Sequence, residues 1–158
     1  MSSTLGSISI TTMTQDEADA IADRRYDPPY DFYDWRADED DLAELLDPLR
    51  RGEGYFSAHN AGGELIGFFG FECKDDVVGV GLGLRPDLTG RGLGLAFLEQ
   101  GLSFAHDRFQ PVGFKLSVAE LNERAIKVYE RAGFVRTRSF SHETNGGVFP
   151  FVELERHA

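Results

Sequence analysis

The sequence predicts an α+β domain built around a mixed, mostly antiparallel sheet. Strand-like runs at 54–60, 65–73 and 77–84 follow one another through turns too short for a crossover, so neighbours must pair antiparallel. The third run leads through a glycine-rich turn, Leu82-Gly-Leu-Arg-Pro-Asp-Leu-Thr-Gly-Arg-Gly-Leu-Gly94, into an apolar-periodic segment from Leu93 to about His106. A further alternating run, Val112 to Val118, comes after that helix and is therefore expected parallel to 77–84. At 158 residues the chain is long enough for one domain with a real core and too short for two, so 1–158 is expected to be a single domain.

Each element has its own local cause. Ile8 to Thr12 is short, β-branched and alternating, and reads as the first strand. Thr14 and Glu17 form a Thr-x-x-Glu capping box, opening a helix to about Arg25 with Ala18, Ile21 and Ala22 on its apolar side. Pro28-Pro29 stops any helix there. Asp40 to Arg51 reads as a second helix, with Leu42, Leu45, Leu46 and Leu49 at three- and four-residue spacing and a last turn weakened by Pro48. Asn60-Ala-Gly-Gly63 turns the 54–60 strand back, and Lys74-Asp-Asp turns the next one. Gly79, Gly81 and Gly83 alternate within the third strand, which weakens its packing and lets another backbone or a ligand come close. Leu95, Leu98, Leu102 and Ala105 form one stripe on the following helix, with Phe97 and Phe104 as core. Arg136 to Ser141 and Val148 to Leu154 are closing strands joined by Thr144-Asn-Gly-Gly147, an explicit hairpin turn.

Composition narrows the function. The formal charge is −11, and Lys74, Lys115 and Lys127 are the only lysines. Nucleic acid is therefore not an expected partner, because phosphate neutralisation needs clustered cations, and a cationic partner suits the surface better. No run approaches the ~20 apolar residues of a membrane span, and the N-terminus lacks a signal-peptide layout, so a cytoplasmic location without membrane attachment is expected. Cys73 is the only cysteine and reads as a small buried strand residue. No His/Cys/Asp spacing suggests a metal.

The glycine-rich turn carries the chemistry. Gly90, Gly92 and Gly94 clear side chains from a backbone whose N–H groups can point at one anion, and the helix opening there adds its first-turn amides. A nucleotide P-loop needs Lys-Ser or Lys-Thr after its last glycine, and Leu93-Gly94 stands in that place. A dinucleotide fingerprint needs a sixth-place glycine, and Leu95 occupies it. What remains resembles the acetyl-CoA loop of the GCN5-related N-acetyltransferases (GNAT): an apolar strand, a proline, then Gln/Arg-x-x-Gly-x-Gly/Ala. Pro86 and Thr89-Gly-Arg-Gly-Leu-Gly94 match in register, with Thr89 replacing the usual Gln or Arg. A second stretch, Asn122-Glu-Arg-Ala-Ile-Lys-Val-Tyr-Glu-Arg-Ala-Gly-Phe134, is similar to the same family's Asn-x-x-Ala-x-x-x-Tyr-x-x-x-Gly-Phe helix. The resemblance covers roughly 63–140.

The resemblance implies a sheet flanked by helices on both faces, with acetyl-CoA in a cleft where the fourth and fifth strands splay. It implies main-chain pairing of the pantetheine arm with Leu82 and Leu84, and phosphate contacts from Thr89, Gly90, Arg91, Gly92, Leu93 and Gly94, with Arg85 nearby to help. Asn122 would cap its helix and bond the arm; Tyr129 would bond the cofactor and act as general acid toward the departing thiolate. The base is expected to be Glu72, with His142 and Glu143 as weaker options. Tyr26, Tyr30, Tyr33 and Trp35, on a segment stiffened by two prolines, would wall the acceptor end, with Asp31 or Asp34 attracting positive charge. The same segment reads equally as a loop pinned down by its rings.

The expected activity is direct acetyl transfer to a primary amine of a small molecule or a protein N-terminus, with coenzyme A as product. The acceptor partner is thus a small molecule or peptide amine, and a homodimer is compatible with exposed edge strands. Two other readings stand beside it: a non-catalytic acyl-CoA-binding or sensing module, and an interaction domain docking a partner through 26–35.

Overall fold

A computed structural model describes residues 5–158; residues 1–4 of the expected single domain lie outside the described residues. The strands are β1 (Ser9–Thr12), β2 (Tyr55–His59), β3 (Leu65–Lys74), β4 (Val77–Leu84), β5 (Gly113–Ala119), β6 (Val135–Thr144) and β7 (Gly147–His157). They form one sheet in the order β1-β2-β3-β4-β5-β7-β6. Only β4 and β5 pair in parallel; every other neighbour pair is antiparallel. The parallel pair is the one the intervening helix requires, because a strand entered after a crossover runs the same way as the strand left. Two tight turns were legible locally: Asp75-Asp76 and Asn145-Gly146 each place both central residues at positive φ, as two-residue hairpins need.

Helices cover both faces. On one, α4 (Gly94–Phe109) and α5 (Glu123–Arg131) bury Phe97, Leu98, Leu102 and Ile126 against Phe69, Val78, Phe114 and Leu116. Burying each such side chain stabilises by about 2–3 kcal/mol. Gly101 sets how closely α4 sits, since any Cβ there would enter the Phe69 ring. On the other face, α1 (Gln15–Ala22) and α2 (Glu39–Leu46) pack Ile21, Ala22 and Leu45 with Trp35, Tyr55 and Phe68. No helix among the described residues is long and apolar enough to cross a membrane.

Some local expectations are corrected. The Thr14–Glu17 capping box is present with both hydrogen bonds, but α1 stops at Ala22 rather than near Arg25. Beyond it, Arg24 turns its guanidinium back to the Leu65 carbonyl. The expected 40–51 helix is two helices. Asp47 is extended (φ −88°, ψ 115°) because a residue before proline is excluded from the helical region, and Pro48 then opens α3 (Pro48–Arg51) with Asp47 as its cap. The break takes Leu49 out of the apolar stripe and leaves it 91% exposed. Cys73 is exposed rather than buried, since the last residues of β3 run beyond the helix layer.

Candidate active site

The site begins where the parallel pair fails. β4 and β5 share three register pairs, Val77↔Gly113, Val78↔Phe114 and Gly79↔Lys115, and then part. β4 stays paired with β3 along its whole length. Main-chain groups of an antiparallel strand alternate in direction, and Arg85 donates to the Ile66 carbonyl on the β3 side, so Val80, Leu82 and Leu84 turn theirs toward the gap. The gap widens into a cavity of about 830 Å³. Its floor includes Gly79 and Gly81, where an added Cβ would make only ordinary contacts, with Glu72 at 3.6 Å and the Gly70 carbonyl at 3.9 Å.

At one end lies the glycine-rich turn. Gly90 and Gly92 have φ of +71° and +76°, in the left-handed region that favours glycine. Leu93, the N-cap of α4, offers no side-chain bond, and the main-chain N–H groups from Gly90 to Ala96 find no acceptor among the described residues. Such a run of unspent donors, with the positive end of a 16-residue helix behind it, is an anion site. No side chain fills it: the space a Cβ on Gly92 would enter is empty for 4 Å. Thr89 does not contribute a donor, since both its N–H and its hydroxyl bond the Pro86 carbonyl (3.2 and 2.7 Å). Arg85, expected to assist, is instead clasped by Asp87 at 2.6 Å and Glu64 at 3.4 Å. Arg124, which the sequence reading passed over, also stands beside the loop, with no carboxylate partner among the described residues. Its Nη1 lies 3.3 Å from where a Cβ on Gly90 would be.

Across the opening runs the aromatic segment, in two short 3₁₀ turns, Tyr30–Tyr33 and Trp35–Ala37. The Tyr26 hydroxyl donates to the Leu84 carbonyl of β4 at 2.6 Å, and the Tyr33 hydroxyl accepts from the Ala119 N–H of β5 at 3.0 Å. One tyrosine thus holds the tip of each diverging strand. Burial raises the pKa of both hydroxyls. Phe32 sits edge-on to Phe149, and Asp38 accepts from the Asn145 N–H and the Thr144 hydroxyl, bolting the segment to the β6–β7 turn. The rings therefore both pin the segment and line the cavity.

The far end is acidic. Tyr55 of β2 shares a face with Gly70, and Trp35 and Phe68 pack beside it. Burial, then the charges of Glu44, Asp41 and Glu72, push the Tyr55 hydroxyl far above its ordinary pKa. Burial, then Asp38 and Glu44, raises the Asp41 carboxyl, with His142 opposing. Asp41 and Glu44, which no sequence motif singles out, border the cavity because α2 packs over the sheet.

Residues 8–135 match the family described as Acetyltransferase (GNAT) domain. The chain belongs to the GNAT acetyltransferases. Mycothiol acetyltransferase of Streptomyces coelicolor is 39% identical over 95 residues, 58% of this chain and 28% of that protein. Mycothiol acetyltransferase of Propionibacterium freudenreichii is 38% identical over 88 residues, 51% and 27% respectively. The chain thus spans under a third of these relatives' length. The fold is shared with spermidine N-acetyltransferase of Vibrio cholerae, solved with CoA and spermine (TM-score 0.75, 18% identity, 95% of each chain). It is shared also with a GNAT-family acetyltransferase of Bacillus anthracis (TM-score 0.70, 11% identity, 95% and 94%).

In this GNAT chain, Tyr26, Tyr30, Tyr33, Trp35, Glu72, Leu82, Leu84, Thr89, Gly94, Asn122 and Tyr129 all line the one cavity. Residues 90–93 are not part of the lining; Leu93 turns its side chain into the interior. Tyr129 packs against Phe134, and its hydroxyl makes no hydrogen bond among the described residues. Burial, with Tyr33 adding to it, raises its pKa well above the ordinary tyrosine value, so the hydroxyl holds its proton at neutral pH. Asn122 Oδ1 caps α5 by accepting from the Ala125 N–H, and its side-chain amide faces the Tyr33 hydroxyl. Glu143 is absent from the lining, whereas His142 is part of it.

Proposed function

We propose that this GNAT chain transfers the acetyl group of acetyl-CoA to a primary amine by direct attack. The observation that carries the reading is the run of unspent N–H groups from Gly90 to Ala96 beside an opened strand pair. Acetyl-CoA would supply the thioester, whose carbonyl carbon the amine attacks to give an amide and the free thiol. Gly90 to Gly94 would receive the phosphates, and the main-chain groups of Leu82 would pair with the pantetheine arm. Leu84 offers only its N–H, because Tyr26 holds its carbonyl. The Asn122 side-chain amide, which already faces the Tyr33 hydroxyl, would reach the arm from the α5 side.

An amine with a pKa of about 10 arrives protonated and must lose that proton before attack. Glu72 lies on the cavity face shared with its register partner Gly79, where the strands separate, and is exposed enough to pass the proton to water. Tyr129 would donate a hydrogen bond to the sulfur of bound acetyl-CoA as negative charge develops there. A thiol has a pKa of about 8.5, below that of Tyr129, so this hydroxyl stabilises the thiolate and full protonation is completed from solvent.

Asp41, Glu44 and Glu72, facing the rings of Tyr55, Trp35 and Phe68, favour an acceptor carrying a second positive charge. The fold neighbour solved with spermine supports polyamines as the first class to try. Incubation with acetyl-CoA and a panel of mono-, di- and polyamines and peptide N-termini, followed by thiol release and product mass, tests the proposal. Release with acetylated amine is expected, strongest for diamines. Coenzyme A binding with no turnover across the panel would instead assign a non-catalytic acyl-CoA module.

A further inference from the structure

We infer that Arg124 is the side chain that takes a phosphate group of coenzyme A, and that Tyr30 is the platform that aims it. The inference rests on the reading of the glycine-rich turn as a coenzyme A site. Arg124 lies in the first turn of α5, two residues after the Asn122 cap, which brings it against the loop rather than into the sheet. Its guanidinium carbon stands 3.9 Å from the Tyr30 ring centroid, and its Nη1 lies 3.3 Å from where a Cβ on Gly90 would be. It has no carboxylate within 4.0 Å and no hydrogen-bond acceptor among the described residues.

Arg85, at the head of the loop, is neutralised by Asp87 and Glu64, and Arg91, within the loop, is exposed and lies near Asp87. A cation stacked on a ring keeps its in-plane N–H donors free, because the ring engages only the flat face of the guanidinium. Arg124 therefore presents a planar donor set, already positioned, beside the unspent amides that begin at Gly90. Planar forks of this kind suit phosphate oxygens. Arg124 also bounds both the main cavity and a smaller depression of about 450 Å³ formed with Tyr30, Pro86 and Thr89, so it stands at the cofactor entrance. Tyr30, expected to touch the acceptor, instead serves the cofactor end.

Calorimetric affinities for coenzyme A, 3′-dephospho-coenzyme A and acetyl-pantetheine test this in wild type, Arg124→Gln and Arg124→Lys. Arg124→Gln should weaken coenzyme A by at least about tenfold, the loss expected for a hydrogen-bonded charge pair. It should weaken the dephospho form equally and leave acetyl-pantetheine unchanged, with Arg124→Lys recovering part of the loss. A loss confined to coenzyme A itself would still support the contact and move it to the 3′-phosphate. Arg124→Gln within twofold of wild type for coenzyme A, or an equal loss for acetyl-pantetheine, would overturn the inference alone. Wild type that binds no coenzyme A would overturn the functional reading with it. Tyr30→Leu gives an independent check: it keeps the charge but removes the platform, and should weaken coenzyme A about threefold while Tyr30→Phe does not. Equal affinities for those two variants would remove Tyr30 from the account.

Discussion

At the residue scale, the account makes its sharpest demands on Tyr129 and Asp38. Tyr129 lines the cavity and its hydroxyl has no hydrogen-bond partner among the described residues, so removing it should cost no stability and act on chemistry alone. Tyr129→Phe is expected to lower turnover at least tenfold, with coenzyme A affinity unchanged, as for loss of one transition-state hydrogen-bond donor. Unchanged turnover would take Tyr129 out of the mechanism. Asp38 instead is structural. Its carboxylate accepts from the Asp41 N–H as N-cap of α2 and from Asn145 and Thr144 on the β6–β7 turn. The Asp41 N–H first, then that of Asn145, hold its pKa below the usual carboxylate value. A group whose folded pKa is depressed stabilises above its unfolded pKa and loses that contribution as pH falls through the folded one. Asp38→Ala should therefore cost about 1–2 kcal/mol in denaturant unfolding at pH 7, a gap that narrows as pH falls below about 4. A gap constant down to pH 2 would contradict the charge-based part of this reading.

At the element scale, the aromatic segment braces an opening that the sheet alone would close. Two strands that pair at Val77 to Gly79 have every hydrogen-bonding reason to continue, and the Tyr26 and Tyr33 hydroxyls take up main-chain groups at their tips instead. Removing either hydroxyl should cost about 1 kcal/mol. Tyr33→Phe should also speed amide exchange at Ala119, and Tyr26→Phe, which frees a carbonyl, should not. Equal exchange in both variants would show that Tyr33 is not the Ala119 partner. This brace marks the limit of what the chain discloses by pattern. The capping box, the hairpin turns and the strand-loop-helix order were legible because each rests on residues within four of one another. Pinning by Tyr26 and Tyr33 was not, because it joins residues 58 and 86 apart in sequence. The same holds for Arg124. Its position on α5 was foreseeable, but that it and not Arg85 stands free depends on Asp87 and Glu64 closing on Arg85.

At the scale of the whole molecule, an acidic body of charge −11 carries one concentrated site for an anion. The field of that body would favour a cationic acceptor and oppose the proposed anionic cofactor, whose recognition would then come from local, short-range donors rather than steering. The layout separates the two tasks: uncapped amides and Arg124 at one end of the opened strand pair, and Asp41, Glu44 and Glu72 with aromatic rings at the other. The glycine spacing discloses the first end, and the aromatic run from Tyr26 to Trp35 only hints at the second, since its carboxylates arrive from α2 and β3 through packing. The central claim concerns the loop. Titration of the ¹⁵N-labelled protein with coenzyme A, followed by amide resonance, reads those N–H groups directly. Saturable shifts across Gly90 to Ala96, larger than at any other stretch and absent with acetyl-pantetheine, are the predicted result; saturable binding that leaves those amides unmoved would contradict it.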